Sequence, residues 1–167
     1  MDACQRAGAS CRRRVSRLRE ARSMTDLAYA GLFFAGLLAG FEILVRFALR
    51  DPLGAVEPEP QIRLRQALIL RMRILVAGVF LLTAALAVTV SITDGSLLRY
   101  AGLAALLVWA VTTFGGTVPI NSAVLTWDPQ APPPDWRTLV TRWERLDTVR
   151  AGAALAAFVL FLLAVTP

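Results

Sequence analysis

Seven residues of this chain pair reactive or hydrogen-bonding chemistry with apolar surroundings: Glu42, Arg46, Arg73, Asn121, Trp143, Asp147 and Arg150. Three of them lie in TRWERLDTVR, residues 141–150, with spacings of four and three. On a helix that spacing puts Trp143, Asp147 and Arg150 on one stripe. The stripe runs directly into the apolar segment AGAALAAFVLFLLAVT. Glu42 and Arg46 are four apart, so they are able to pair across one helical turn. Carboxylates, guanidiniums and an amide are the parts needed to take a proton from a carbon acid and hold the oxyanion that develops. A structural reading competes with this one: Asp147 and Arg150 close an ion pair at the mouth of a helix, and Arg71 snorkels to the interface. Trp127 and Trp136 read as interfacial belt residues.

Four apolar segments must position these groups, at about 27–49, 74–92, 100–120 and 146–166. Each has roughly the twenty residues that cross a bilayer's hydrocarbon core. None alternates with the period of two of a membrane barrel strand. The fold class expected is all-α, a four-helix transmembrane bundle over residues 24–167, preceded by a disordered Arg-rich tail at 1–23. TDGS (93–96) predicts a tight turn joining spans two and three. RDPLGAVEPEPQIRLRQ (50–66) reads as a longer connection whose prolines bar a continuous helix. TWDPQAPPPD (126–135) reads as an extended loop, with Asp135 as N-cap of the helix that follows. Gly36, Gly40 and the alanines from Ala151 to Ala154 mark close helix packing, while Gly115, Gly116 and Pro119 loosen or bend the end of span three.

An even number of spans puts the loops after spans one and three on the same side, and the polar residues gather at that face. Glu42 lies eight residues before Arg50, about 12 Å deeper along a helix axis. A carboxylate at that depth costs at least a few kcal/mol unless paired or protonated. Arg46 and Arg73 are the partners the sequence offers. Orientation is not fixed: eight arginines flank one face and ten the other, and a chain starting at Met24 shifts this to one against ten.

Composition narrows the chemistry. Of 167 residues 56% are hydrophobic, and the mean hydropathy is +0.57. The eighteen basic residues are all arginine, and the net charge of +6 points to anionic lipid headgroups rather than nucleic acid, for which no reading motif is present. Histidine is absent, which removes the usual haem ligand, the Glu-x-x-His di-iron site and histidine-bound zinc or copper. No glycine-rich nucleotide-binding loop is present, so no flavin is expected either. Cys4 and Cys11 stand alone in the tail and read as reduced thiols.

VPIN (118–121), the Pro-rich loop and WERLDTVR (143–150) resemble the anthrone oxygenase-like family of small four-helix membrane proteins, over roughly residues 25–166. That resemblance implies a membrane enzyme, in the cell membrane, oxidising anthrones to anthraquinones in aromatic polyketide pathways without metal or flavin. Carried over by position, the family's Asn is Asn121, its Trp is Trp143 and its Arg is Arg150. The polar position between Trp and Arg, often His or Asn in relatives, is Asp147 here. An aspartate is a weaker base than a histidine, so burial must strengthen it or Glu42 must take the role. The expected site therefore has Glu42, Asp147, Arg150 and Asn121 as catalytic groups, and Trp143, Arg46 and Arg73 against a lipophilic substrate. An acid–base cyclase or isomerase, and a non-catalytic carrier or scaffold, use the same parts. Self-association is also expected, since four spans enclose little volume.

Overall fold

The computed structural model describes the backbone of residues 2–166, and the side chains of residues 16–166 other than Asp51 and Asp94. The chain is helical almost throughout, with no strand among the described residues. Helix α1 (Asp2–Leu44) continues through a π-helical turn (Val45–Leu49) into α2 (Arg50–Gly54). Helix α3 (Pro58–Asp94) and α4 (Leu97–Thr112) form a hairpin. A second π-helical turn (Thr113–Thr117) leads into α5 (Val118–Val124), and α6 (Trp136–Val165) closes the bundle. The four continuous rods contain apolar windows long enough to cross a membrane, within Ser16–Gly54, Pro58–Thr93, Leu97–Val124 and Trp136–Val165. The chain is a multi-pass membrane protein, and large apolar residues such as Phe33, Ile74 and Leu107 lie on its outer face.

Both π-turns sit where a proline would break a regular helix. A proline lacks the N–H that bonds the carbonyl four residues back, and its ring clashes with that carbonyl. For Pro52 and Pro119 those carbonyls belong to Ala48 and Gly115, each inside a π-turn. The wider turn gives the ring room and lets the helix continue. The bend expected at Gly115 and Gly116 is therefore a widening of the helix.

The 50–66 segment departs from expectation: only residues 55–57 are non-helical, because Pro58 and Pro60 fall in the first turn of α3, where a missing N–H costs nothing. The tail departs too, since α1 runs unbroken from Asp2 through residue 23. Its Ala, Arg, Leu, Glu and Met residues are strong helix formers, with no proline among them. The expectation for Cys4 and Cys11 concerns side chains outside the described set. The hairpin turn is as expected: Gly95 takes φ 63° and its N–H bonds the Ser91 carbonyl at 3.1 Å. The loop 125–135 is non-helical but turned rather than extended, since the N–H groups of Trp127, Ala131 and Trp136 bond carbonyls three residues back at 3.3, 3.2 and 3.1 Å. The Gln66 side-chain amide ties it to α3, donating to the Val124 and Trp127 carbonyls at 2.9 and 3.0 Å. Asp135 occupies the N-cap position but makes no side-chain capping bond.

The core lies where α6 meets α1 and α4. Ala35, Ala39, Ala153, Ala154 and Ala157 bring backbones close, while Leu38, Leu106, Trp109 and Phe161 fill the remaining space. Gly36 admits the Phe158 ring, 3.0 Å from where a Cβ would stand. Gly40, expected to pack likewise, faces outward with nothing within 4 Å.

Candidate functional site

Toward the face that carries the 125–135 loop, the rods part around a cavity of about 400 Å³. Its volume falls in the range of small-molecule sites. Its walls come from every rod and from both π-turns, through Val45 and Leu49 on one and Thr113, Phe114 and Thr117 on the other. Most of the lining is aliphatic or aromatic. The polar and charged exceptions are Arg50, Arg65, Arg73, Thr113, Thr117, Asn121, Asp147 and Arg150, with the indoles of Trp109 and Trp143 among the aromatics.

At the inner end, Glu42 of α1 is completely buried and Arg150 of α6 is 7% exposed. The Arg150 Nη2 donates to Glu42 Oε1, joining two helices 108 residues apart in sequence. Trp109 Nε1 donates to the same oxygen at 3.0 Å. The Arg150 guanidinium lies 5.2 Å from the Trp109 ring centroid, and Phe80 stacks on that ring at 4.6 Å. The pairing expected between Glu42 and Arg46 is not formed. Arg46 lies in the π-turn that begins at Val45, where widening shifts the i+4 register, and its guanidinium sits 5.9 Å from the Phe47 ring. Arg73, the other partner considered, lines the cavity further along α3 and forms no ion pair with Glu42 either.

At the outer end, Trp143 Nε1 donates to Asn121 Oδ1 at 3.1 Å. An indole N–H only donates, so this bond fixes the amide's orientation and leaves its NH₂ for another acceptor. Arg65 of α3 is 7% exposed, with its guanidinium 5.3 Å from the Trp143 ring centroid. Glu144 bridges two arginines, Arg50 at 3.1 Å and Arg65 at 3.7 Å.

Between the ends lies Asp147, 2% exposed, whose Oδ1 has no hydrogen-bond partner in the protein. It sits in the combined field of Glu42, Arg150, Arg46 and Glu144. Thr117 Oγ1, Arg65 Nε and Arg150 Nε are likewise buried without a protein partner, and all four groups belong to cavity-lining residues. Such atoms cost about 1–3 kcal/mol each when nothing meets them.

Of the seven residues singled out in the sequence, Arg73, Asn121, Trp143, Asp147 and Arg150 line the cavity, whereas Glu42 reaches it through Arg150 and Arg46 stands outside the wall. Sequence reasoning missed Trp109, Arg65, Thr117 and Glu144. Trp109 carried a signal, since a tryptophan in mid-span rather than at the interface needs a partner for its N–H. Arg65 carried one too, falling three residues after Ile62 and four before Ile69, on the inward stripe of α3.

The family model described as Anthrone oxygenase matches residues 65–160, more than half of the chain. The matched region holds Arg65, Trp109, Thr117, Asn121, Trp143, Asp147 and Arg150; α1 with Glu42, and the π-turn with Arg46, lie before it. No curated protein and no solved structure matches the chain. The cavity-bearing bundle is thus a member of the anthrone oxygenase family.

Proposed function

We propose that this protein is an enzyme of specialised metabolism that oxidises an anthrone-type polycyclic substrate to the corresponding quinone. The substrate arrives from the membrane, and the lipid phase is that of the cell membrane. The observation that carries this reading is the unpartnered Asp147 carboxylate on the wall of an apolar cavity, next to the Arg150 guanidinium, in a chain of this family. Asp147 takes a proton from the ring methylene. Arg150 holds the oxygen of the resulting enolate. Glu42 positions Arg150 and does not touch the substrate, because it is fully buried behind Arg150 and outside the cavity lining. The flat Phe80–Trp109 stack gives the polycycle an aromatic surface, and Trp143 a second one.

The enolate is electron-rich enough to reduce dioxygen directly. One oxygen atom becomes the new ring carbonyl. The other leaves as water with the two hydrogens of the methylene, and the substrate's four electrons reduce the dioxygen. No cofactor enters this sequence. Purified protein in lipid nanodiscs, given anthrone, should form anthraquinone with matching oxygen uptake, well above the rate of protein-free autoxidation. A rate equal to that background refutes the oxygenase reading. Turnover of a polyketide-like substrate that persists without oxygen favours an acid–base cyclase or isomerase built from the same wall.

A further inference from the structure

The outer end of the cavity holds charge that proton abstraction does not use. Arg65 and Arg50 line it, and Arg65 is 7% exposed, whereas Arg73 lies eight residues further along α3, about 12 Å away. Among the described residues the anionic neighbour of Arg65 at ion-pair range is Glu144, 3.7 Å away and shared with Arg50. The Arg65 Nε is buried and bonded to nothing in the protein. A guanidinium so placed has donors to spare, in the fork geometry that suits a carboxylate.

We propose that Arg65, supported by Arg50, is a specificity subsite for an acidic group on the substrate, so that the preferred substrate is a planar polycycle bearing a carboxylate at the end remote from the reacting carbon. This rests on the oxygenase reading for the identity of the polycycle, and not for the anion subsite itself. The spacing supports it. Trp143, beneath the Arg65 guanidinium, is seven residues from Arg150 on α6, which places the two arginine clusters roughly 10 Å apart along the helix axis. In an anthrone the reacting carbon belongs to the central ring, so the reach that matters is from Asp147 to Trp143, four residues or about 6 Å along α6. That is comparable to the reach from the central ring to a carboxylate on an outer ring. The reacting centre would lie near Asp147 and Arg150 while that carboxylate reaches Arg65. The Trp143 ring and Glu144 hold Arg65 in place before any ligand arrives, so little side-chain freedom is lost on binding.

Equilibrium binding to the full chain in nanodiscs of neutral lipid tests this, with two stable probes: anthraquinone, and an anthraquinone carboxylate with its acid at one end of the rings. The parent protein should bind the carboxylate more tightly, by on the order of ten- to a hundredfold, as expected for a charge-assisted fork. In Arg65→Gln the ratio of the two affinities should fall to within about twofold of one, whatever their common scale. If that variant does not assemble, Arg65→Lys carries the test: it keeps the charge, loses the fork, and should lower the ratio several-fold. A parent ratio near one, or a ratio indifferent to both substitutions, overturns the proposal. Displacement of the aromatic acid by a fatty acid of similar length with equal potency also overturns it, assigning the subsite to lipid. The two readings fail separately. Tight, Arg65-dependent carboxylate binding without quinone formation sinks the oxygenase reading alone, and quinone formation without carboxylate preference sinks the subsite alone.

Discussion

Glu42 and Arg150 test whether the inner end of the cavity is held together by paired charge. Glu42 is 0% exposed and Arg150 7%, and the hydrogen bond between them joins α1 to α6. Removing one member of a buried pair strands the other and costs about 3–5 kcal/mol. Arg150→Met should show the full cost. Glu42→Gln should fall near the low end, about 3 kcal/mol, because the amide oxygen still accepts from Trp109 and Arg150. In Glu42→Gln/Arg150→Met no stranded charge remains. What is left is a neutral amide still bonded to Trp109, so the double variant should lose only about 1–3 kcal/mol, less than Arg150→Met alone. Reversible unfolding in mixed micelles at increasing dodecyl sulfate reads all four proteins on one scale. A double variant whose loss equals the sum of the two single losses would show no coupling and refute this account. Turnover divides differently. Every protein without Arg150 should be slowed by on the order of a hundredfold, as for a lost oxyanion donor, including the double variant that has recovered stability.

Asp147→Asn should fold normally, since the carboxylate has no bonded partner at Oδ1 to lose, yet turn over anthrone on the order of a hundredfold more slowly when assayed by quinone absorbance. Gly102→Ala should lower thermal stability by about 1–3 kcal/mol, because the new Cβ meets the Phe161 ring where α4 packs on α6. Gly116→Ala should cost less, since the atom it meets, Leu146 Cδ1 at 2.8 Å, is the end of a flexible side chain. Gly40→Ala, facing open space, should be neutral or stabilising by a few tenths of a kcal/mol in the same melt.

The spans were legible because hydropathy and length decide them before any packing is considered. The polar face was legible because four rods with two loops on one side leave no other arrangement for Glu42, Asn121, Asp147 and Arg150. The partner of Glu42 was not. Sequence spacing offers the i+4 neighbour, and that inference holds only while the helix keeps its regular period. The π-turn at Val45 changes the register at Arg46, and the opposing helix supplies a cation at the same depth. No local rule reports which helices face each other, so a contact 108 residues away had no signature of its own. The helical course of residues 2–23 departs from the sequence expectation for a related reason: charge density was weighed over the residues' own helix propensity.

Two prolines, one read as barring a continuous helix and the other as bending one, connect the backbone to the chemistry. Pro52 and Pro119 each follow a π-turn, and the residues of those turns form part of the cavity wall. A regular α-helix through Thr113–Thr117 would pass Thr117 and Asn121 at the ordinary spacing. The extra residue in the turn rotates everything beyond it, and in this register Asn121 meets the Trp143 indole while Thr117 is 2% exposed on the cavity wall. The widened turn also places Gly116 against the end of the Leu146 side chain, one residue before Asp147. Backbone irregularity, the glycine that tolerates it and the buried carboxylate thus lie within one local packing unit. Reach across the cavity is set there by the helix period as much as by the side chains.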